Sequence, residues 1–312
     1  MGAAAIEALG IAKSFGKTEA LRGLGFAIEA GKTLALVGPD GAGKTTTMRI
    51  ACGLLRPDSG SARIFGDPPD SPAAKGRIGY LSQRFSLYGD LSVDENIAFF
   101  AEIHGLRDYG DRRDRLLDFT RLSPFRRRQA GRLSGGMKQK LALACALVHE
   151  PRILFMDEPT TGVDPVSRRE FWEIVARLTR DGMTVLAATP YLDEAERFDR
   201  VGLIERGRFL ALDSPSALKA SFAWEIVELV CPEARRAAQI LGSDDFRNRA
   251  DSGGAASAQA FGDRAALLAR DAQAAGSAAV SALRAKGIEV SSSRRTKPSL
   301  ENVFMELLGG TI

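Results

Sequence analysis

The octapeptide Gly38-Pro39-Asp40-Gly41-Ala42-Gly43-Lys44-Thr45 constrains this chain more than any other stretch, because of what flanks it. The apolar run Thr33–Val37 precedes it, and a helix is expected to begin near Thr45. A GxxxxGK[ST] spacing between a strand and a helix is a phosphate-cradling loop. Its glycines let backbone N–H groups turn inward around phosphate oxygens, and the helix that follows adds its positive end. Lys44 is expected to bridge the β- and γ-phosphates of a nucleotide, and Thr45 to hold Mg²⁺. The candidate phosphate-binding residues are thus Gly38, Pro39, Asp40, Gly41, Ala42, Gly43, Lys44, Thr45 and Thr46. Asp40 must point outward, since a carboxylate beside an anion would repel it.

Apolar runs bounded by glycine recur at 33–37, 153–156 and 184–188, alternating with helical stretches. That pattern predicts an α/β fold, a parallel sheet covered by helices. Further strands are expected at 24–29 and 201–204, the second before a turn at Arg206-Gly207. From about residue 83 to 132 the character changes to many charges, and Ile97, Phe100, Ala101 and His104 fall at helical spacing. An inserted helical subdomain is expected over about 84–142 of a domain spanning 1–214. After 214 the composition shifts toward alanine, with a Gly/Ser/Ala stretch at 251–258, so 215–312 reads as a second domain or a loosely structured appendage. Its last segment places Leu300, Val303, Phe304, Leu307 and Leu308 on one helical face, with Gly309 as a stop. Glu301 and Glu306, without Lys or Arg, favour packing against the rest of the tail over a membrane surface.

Composition excludes several classes. With 45% apolar and 26% charged residues in 312, most of the chain should fold. The longest apolar runs fall far short of the roughly 20 residues of a membrane span, and the N-terminus lacks a basic segment before an apolar core. A cytoplasmic location is expected. A net charge of +4 is modest, so no nucleic-acid partner is expected, and Arg126-Arg127-Arg128 reads as a solvated helix end. Cys52, Cys145 and Cys231 are too far apart for a CxxC pair and read as core thiols; His104 and His149 lack metal-ligand spacing.

A second chemical element is the apolar run at 153–156 ending in Asp157-Glu158. Asp157 can hold Mg²⁺ through water, and Glu158 is placed to polarise an attacking water. With Leu133-Ser134-Gly135-Gly136-Met137-Lys138-Gln139 and Gly162-Val163-Asp164-Pro165 in order behind the glycine loop, the chain resembles the ATP-binding cassette family, the motor subunits of ABC transporters. The resemblance covers about residues 4–214 and implies a P-loop NTPase core of ABC type with a small C-terminal α+β domain. It implies ATP and Mg²⁺ as cofactors, a membrane permease as partner, and a second cassette, a heterodimer being favoured. It also implies peripheral attachment to the cytoplasmic membrane face through that permease. By the same resemblance Phe15 would stack on adenine, and Gln83 would sense the γ-phosphate and Mg²⁺. Leu133, Ser134, Gly135, Gly136 and Gln139 would act on the partner's ATP, and Asp164 would communicate across the dimer. The free N–H groups and dipole of a helix opened by Ser134 give that role a physical basis.

The pattern departs at one place. After the 184–188 strand the family reads Thr-His, but here the histidine position is Pro190, and no histidine follows His149. Proline has neither a side-chain donor nor a backbone N–H. Slow hydrolysis with retained binding is therefore expected, in a pair of unequal sites, as in the first cassette of tandem-cassette export ATPases, which the chain resembles. Residues 297–308 resemble the C-terminal segment of multidrug-exporter cassettes. The surface at 84–97, including Leu87, Tyr88 and Leu91, is expected to dock the permease or else to form subdomain core. Two other readings compete: a nucleotide-gated regulatory subunit without turnover, and a soluble cassette ATPase of ribosomes or DNA. The second lacks the tandem cassettes or coiled-coil insertion usual for it.

Overall fold

The three glycine-bounded runs become neighbouring strands of one sheet. The computed structural model describes residues 4–83 and 86–308, and the chain divides into two units, Met1–Ser214 and Pro215–Ile312. The strands of the first unit are β1 (Ala4–Phe15), β2 (Thr18–Glu29), β3 (Thr33–Val37), β4 (Ser59–Ile64), β5 (Ile78–Leu81), β6 (Ile153–Asp157), β7 (Thr184–Thr189), β8 (Arg200–Glu205) and β9 (Arg208–Asp213). Its helices are α1 (Lys44–Ala51), α2 (Pro72–Lys75), α3 (Val93–Ile103), α4 (Gly110–Phe119), α5 (Gly135–Leu147), α6 (Pro165–Arg180) and α7 (Leu192–Ala195).

The central sheet runs β5-β6-β7-β3-β8-β9, parallel except for β9. Every residue of β3, β6 and β7 is buried, as a parallel sheet covered on both faces requires. Val37 lies opposite Thr189, and Asp157 opposite Ala188. The glycine loop, Asp157-Glu158 and Thr189-Pro190 therefore leave the sheet side by side at its carboxyl edge, where ligands of such sheets bind. A second, antiparallel sheet, β2-β1-β4, closes the core that receives Met48 and Ile50 of α1.

The helical subdomain packs Val93, Ile97, Leu117, Leu141 and Cys145 into its own cluster. Its expected edge near 142 falls inside α5, which continues unbroken to Leu147. A capping box between Ser92 and Glu95 starts α3. The buried Asn96 amide then accepts the Tyr88 N–H at 2.9 Å and donates to the Tyr88, Leu91 and Ser92 carbonyls. The 84–97 stretch, expected either as a docking surface or as subdomain core, is divided between core and surface. Arg84 and Phe85 lie outside the described residues, Val93 and Ile97 are core, Leu87 packs on the helical cluster, and Tyr88 is the exposed apolar side chain. Arg126-Arg127-Arg128 does follow a helix end, with Arg127 and Arg128 exposed, but Arg126 is ion-paired. It follows a 3-10 turn at Ser123–Phe125 and bonds Asp94 at 2.8 Å and Asp114 at 3.1 Å. His104 and His149 stack at 3.7 Å, and burial together with the neighbouring ring pushes His149 down to about 4. All three cysteines are buried free thiols.

The second unit contains α8 (Pro215–Ala220), β10 (Glu225–Val230), α9 (Ala234–Leu241), α10 (Asp244–Arg247), β11 (Ser257–Phe261), β12 (Arg264–Ala269), α11 (Ala272–Ala285), β13 (Ser292–Thr296) and α12 (Leu300–Leu307). Its antiparallel sheet runs β11-β12-β10-β13. With helices between β10 and β11 and between β12 and β13, this is the ferredoxin-like split βαβ arrangement. The 251–258 stretch is part of it: Ser252 and Ala255 are buried and Ser257 opens β11. In α12, Leu300 and Val303 are buried while Leu307 is 40% exposed; Gly309 lies outside the described residues.

Candidate functional site

Gly43 caps α1 at φ +108°, and a Cβ there would stand 2.7 Å from the Ala20 carbonyl, so only glycine fits. It places no side chain over the first-turn N–H groups of α1, which suits them to anionic oxygens. Lys44, 4% exposed, donates from Nζ to the Gly38 and Pro39 carbonyls at 2.8 and 3.1 Å, and lies 3.6 Å from Glu158 Oε1. The Thr45 hydroxyl donates to Asp157 Oδ1 at 3.1 Å, and Gln83 Nε2 donates to Glu158 Oε2 at 2.8 Å. Lys44, Thr45, Gln83 and Glu158 line a cavity of about 360 Å³ with Phe15, Asp40, Gly41, Gly43 and Thr46. Ala20, which no motif marks, lines it as well. Phe15 is half exposed, and Asp40 is exposed at the cavity it lines.

Asp157 is 1% exposed, and burial raises its carboxyl above the usual range; the Thr45 hydroxyl opposes that rise and the charge of Glu158 adds to it. Two converging oxygens, one on a carboxyl reluctant to ionise alone, fit a hard cation. Mg²⁺ takes few protein ligands and completes its shell with water and phosphate. Glu158 departs from the strand at φ +49°, a left-handed backbone that costs a non-glycine residue energy. Its N–H is held by the Ala188 carbonyl at 2.8 Å.

None of the Leu133–Gln139 residues lines the same cavity. Ser134 caps α5 by accepting the Met137 N–H at 3.3 Å, and Ser134 and Gly135 are exposed. Gly136 is buried because a Cβ would come 2.3 Å from Ser167 of α6. Leu133 and Gln139 are 5% and 4% exposed, so they seat the helix from inside, and Gln139 Nε2 has no partner among the described residues. Asp164 caps α6 through the Val166 and Ser167 N–H groups, which hold its carboxyl below the usual range. Pro190 is exposed at the end of β7, and the next N–H, of Tyr191, donates to Thr189 Oγ1 at 3.1 Å. A residue that sequence reasoning missed is Glu194, 1% exposed behind this turn. One sequence contains nothing that separates it from Asp193 and Glu196 beside it.

The ABC transporter family profile matches residues 21–161. A probable multidrug ABC transporter ATP-binding protein of Escherichia coli K12, YbhF, is 43% identical over 71% of this chain, which spans 39% of that relative's length. The Nod factor export ATP-binding protein I of Paraburkholderia xenovorans is 41% identical over 75% of this chain and 79% of its own. The daunorubicin resistance ATP-binding protein DrrA3 of Streptomyces coeruleorubidus is 35% identical over 99% and 97%. Among solved structures, an ATP-binding subunit of an ABC transporter superposes with a TM-score of 0.63 at 29% identity, covering 70% of this chain and 92% of that one. A dimeric ATP-binding cassette in a post-hydrolysis state with ADP and Pi gives 0.61 at 25% identity, over 67% and 98%. With identity that extends along the whole chain in one relative, and the glycine loop and paired carboxylates at one sheet edge, this chain belongs to the ATP-binding cassette family of ABC transporter ATP-binding subunits.

Proposed function

We propose that this chain is the ATP-binding subunit of an exporter, and that it couples binding and hydrolysis of Mg·ATP to transport through a separate membrane permease. The observation that carries the reading is the convergence of Thr45 on Asp157 and of Gln83 and Lys44 on Glu158 within one cavity. The glycine-loop N–H groups and Lys44 bind the phosphates, and Phe15 receives the base. Thr45 and Asp157, with Gln83 nearby, hold Mg²⁺, which neutralises phosphate charge when bound. Glu158 orients water and withdraws its proton. Ser134 and Gly135, exposed at the start of α5, face the phosphates of a second cassette, and Asp164 borders the same junction. Names given to the relatives, multidrug and Nod factor export among them, support export as the direction. No helix among the described residues is long and apolar enough to cross a membrane, in keeping with a permease that supplies the spans and holds the chain at the cytoplasmic face. Tyr88 and the neighbouring 230 Å³ cleft lined by Leu87, Phe100 and His104 are where that permease would dock.

Pro190 makes this chain's own site the slower of two, and a histidine-bearing cassette is the partner it suits. Restoring the donor by Pro190→His should raise turnover at this chain's own site by about 10²- to 10³-fold, the usual worth of one preorganised donor, and with it the steady-state ATPase of the assembled complex. An unchanged rate would sink the impaired-site reading. Phosphate release by wild type no faster than by Glu158→Gln would instead favour a nucleotide-gated regulatory subunit.

A further inference from the structure

Glu194 is the most thoroughly engaged buried carboxylate of the first unit, and none of its bonds reaches the nucleotide cavity. Its Oε1 accepts the Thr160 hydroxyl, Arg168 Nε at 2.6 Å and Trp172 Nε1 at 2.9 Å; its Oε2 accepts the Thr189 hydroxyl at 2.5 Å. Thr160 and Thr189 are themselves 2% and 0% exposed. These donors belong to three separate segments: the turn after Glu158, the N-terminal half of α6, and the end of β7.

Two of them close a ring around Glu158. The Glu158 N–H donates to the carbonyl of Ala188, the residue before Thr189. Thr160 stands two residues after Glu158, and Thr161 bonds back to the Glu158 carbonyl at 3.3 Å. Glu194 therefore ties the turn after Glu158 to the end of β7, whose Ala188 carbonyl holds the Glu158 N–H, around a residue whose backbone is in the left-handed region at φ +49°. A strained non-glycine conformation persists only where its surroundings over-determine it. Here the surroundings are Ala188 on one side and the Glu194 carboxylate on the other. Arg168 extends the same fixture to α6, since its Nη2 also holds Asp193 at 2.7 Å and its guanidinium lies 4.2 Å over the Tyr191 ring. The Tyr191 N–H closes the turn past Pro190 by bonding Thr189 Oγ1.

We propose that Glu194 is a positioning residue that holds Glu158 in its left-handed backbone, and so keeps its carboxylate between Gln83 and Lys44. This rests on the proposed ATP hydrolysis only for its kinetic readout. In the full-length chain, Glu194→Gln keeps the shape but loses the charge that gathers these donors. Hydrogen exchange of segment 157–163 should then be at least tenfold faster while that of β8 and β9 is unchanged. Kcat for ATP should fall at least tenfold with KM within twofold. Trp172→Phe removes a donor outside the ring and should leave exchange at 157–163 within twofold of wild type. Should Glu194→Gln fail to fold, Thr160→Val cuts the same ring while keeping the Arg168 pair, and the same tenfold exchange increase is expected. Unchanged exchange at 157–163, or a uniform rise across 4–214, overturns the positioning role. If wild type releases phosphate no faster than Glu158→Gln, hydrolysis fails as a function, and the exchange measurement alone decides the role of Glu194.

Discussion

Asp157 and Glu158 are neighbours in sequence with opposite environments. The first is sealed at the end of a fully buried strand, and the second turns out of it into the cavity at a strained φ. Burial raises the Asp157 carboxyl above 3.8, so at pH values between 3.8 and its folded value the native state keeps a proton that the unfolded chain has lost. Raising pH through that interval therefore lowers stability, and above it the full cost of the buried charge persists. Asp157→Asn removes the cost. The variant should be more stable than wild type at neutral pH, with the difference vanishing toward pH 3, while its Mg²⁺-dependent nucleotide binding collapses. Thermal melts across pH check this, and a stability difference independent of pH would defeat it. The identity of these groups was legible because strand, carboxylates and glycine loop follow fixed spacings. Glu194 was not, because what distinguishes it from Asp193 and Glu196 is depth, and its donors come from residues 160, 168 and 172 as well as 189.

At the scale of elements, the junction of α5 and α6 carries a sharper test than the sheet does. The Ser134 hydroxyl opens α5, and Gly136 in its first turn is needed because Ser167 leaves no room for a methyl group. Gly136→Ala should cost about 1–3 kcal/mol, the usual price of overpacking. Ser167→Gly in the same chain should recover more than half of that. Urea titration of the single and double variants measures both, and an equal loss in the two would show that the clash lies elsewhere. The strands at 33–37, 153–157 and 184–189 were readable because parallel strands buried on both faces are continuously apolar. Their order was not, since β3 lies beside β7 and β8 through crossovers of more than a hundred residues. Ser92 and Glu95 did spell a capping box, a local signal strong enough to separate the turn at 88–92 from helix α3. How the 84–97 stretch divides between core and exposed surface was not legible, because Asn96 ties the turn down and the helical cluster takes Leu87, neither of which shows in apolar spacing.

The molecule as a whole joins a unit with a legible pattern to one without. The family profile, the glycine loop, the carboxylates and the Ser134 segment all fall within Met1–Ser214, whereas the clear period read in Pro215–Ile312 is that of its last helix, α12. The physical reason is its construction. β13 is the polar run Ser-Ser-Arg-Arg-Thr, all but one residue exposed, and β10 pairs with strands about 40 to 70 residues away, so register rests on long-range partners. Its core is nonetheless its own: Val227, Leu229, Leu241, Phe246, Leu267 and Leu283 pack with alanines of α9 and α11 into a separate cluster. Asp271 caps α11 through the Gln273 and Ala274 N–H groups, Ser299 and Asn302 form a capping box for α12, and Glu228 on the central strand pairs with Arg264 and Arg294 on both neighbours. Local caps, cross-strand pairs and a closed core are what an independent domain requires. A fragment of residues 215–312 should therefore unfold in one cooperative urea transition with a stability of about 5 kcal/mol, the low end for its length because alanine buries little area per residue. The complementary fragment 1–214 should bind a nucleotide analogue within a few fold of the full chain, since every cavity residue from Phe15 to Glu158 lies inside it. A non-cooperative transition in 215–312, or loss of nucleotide binding by 1–214, would show that each unit depends on the other to fold.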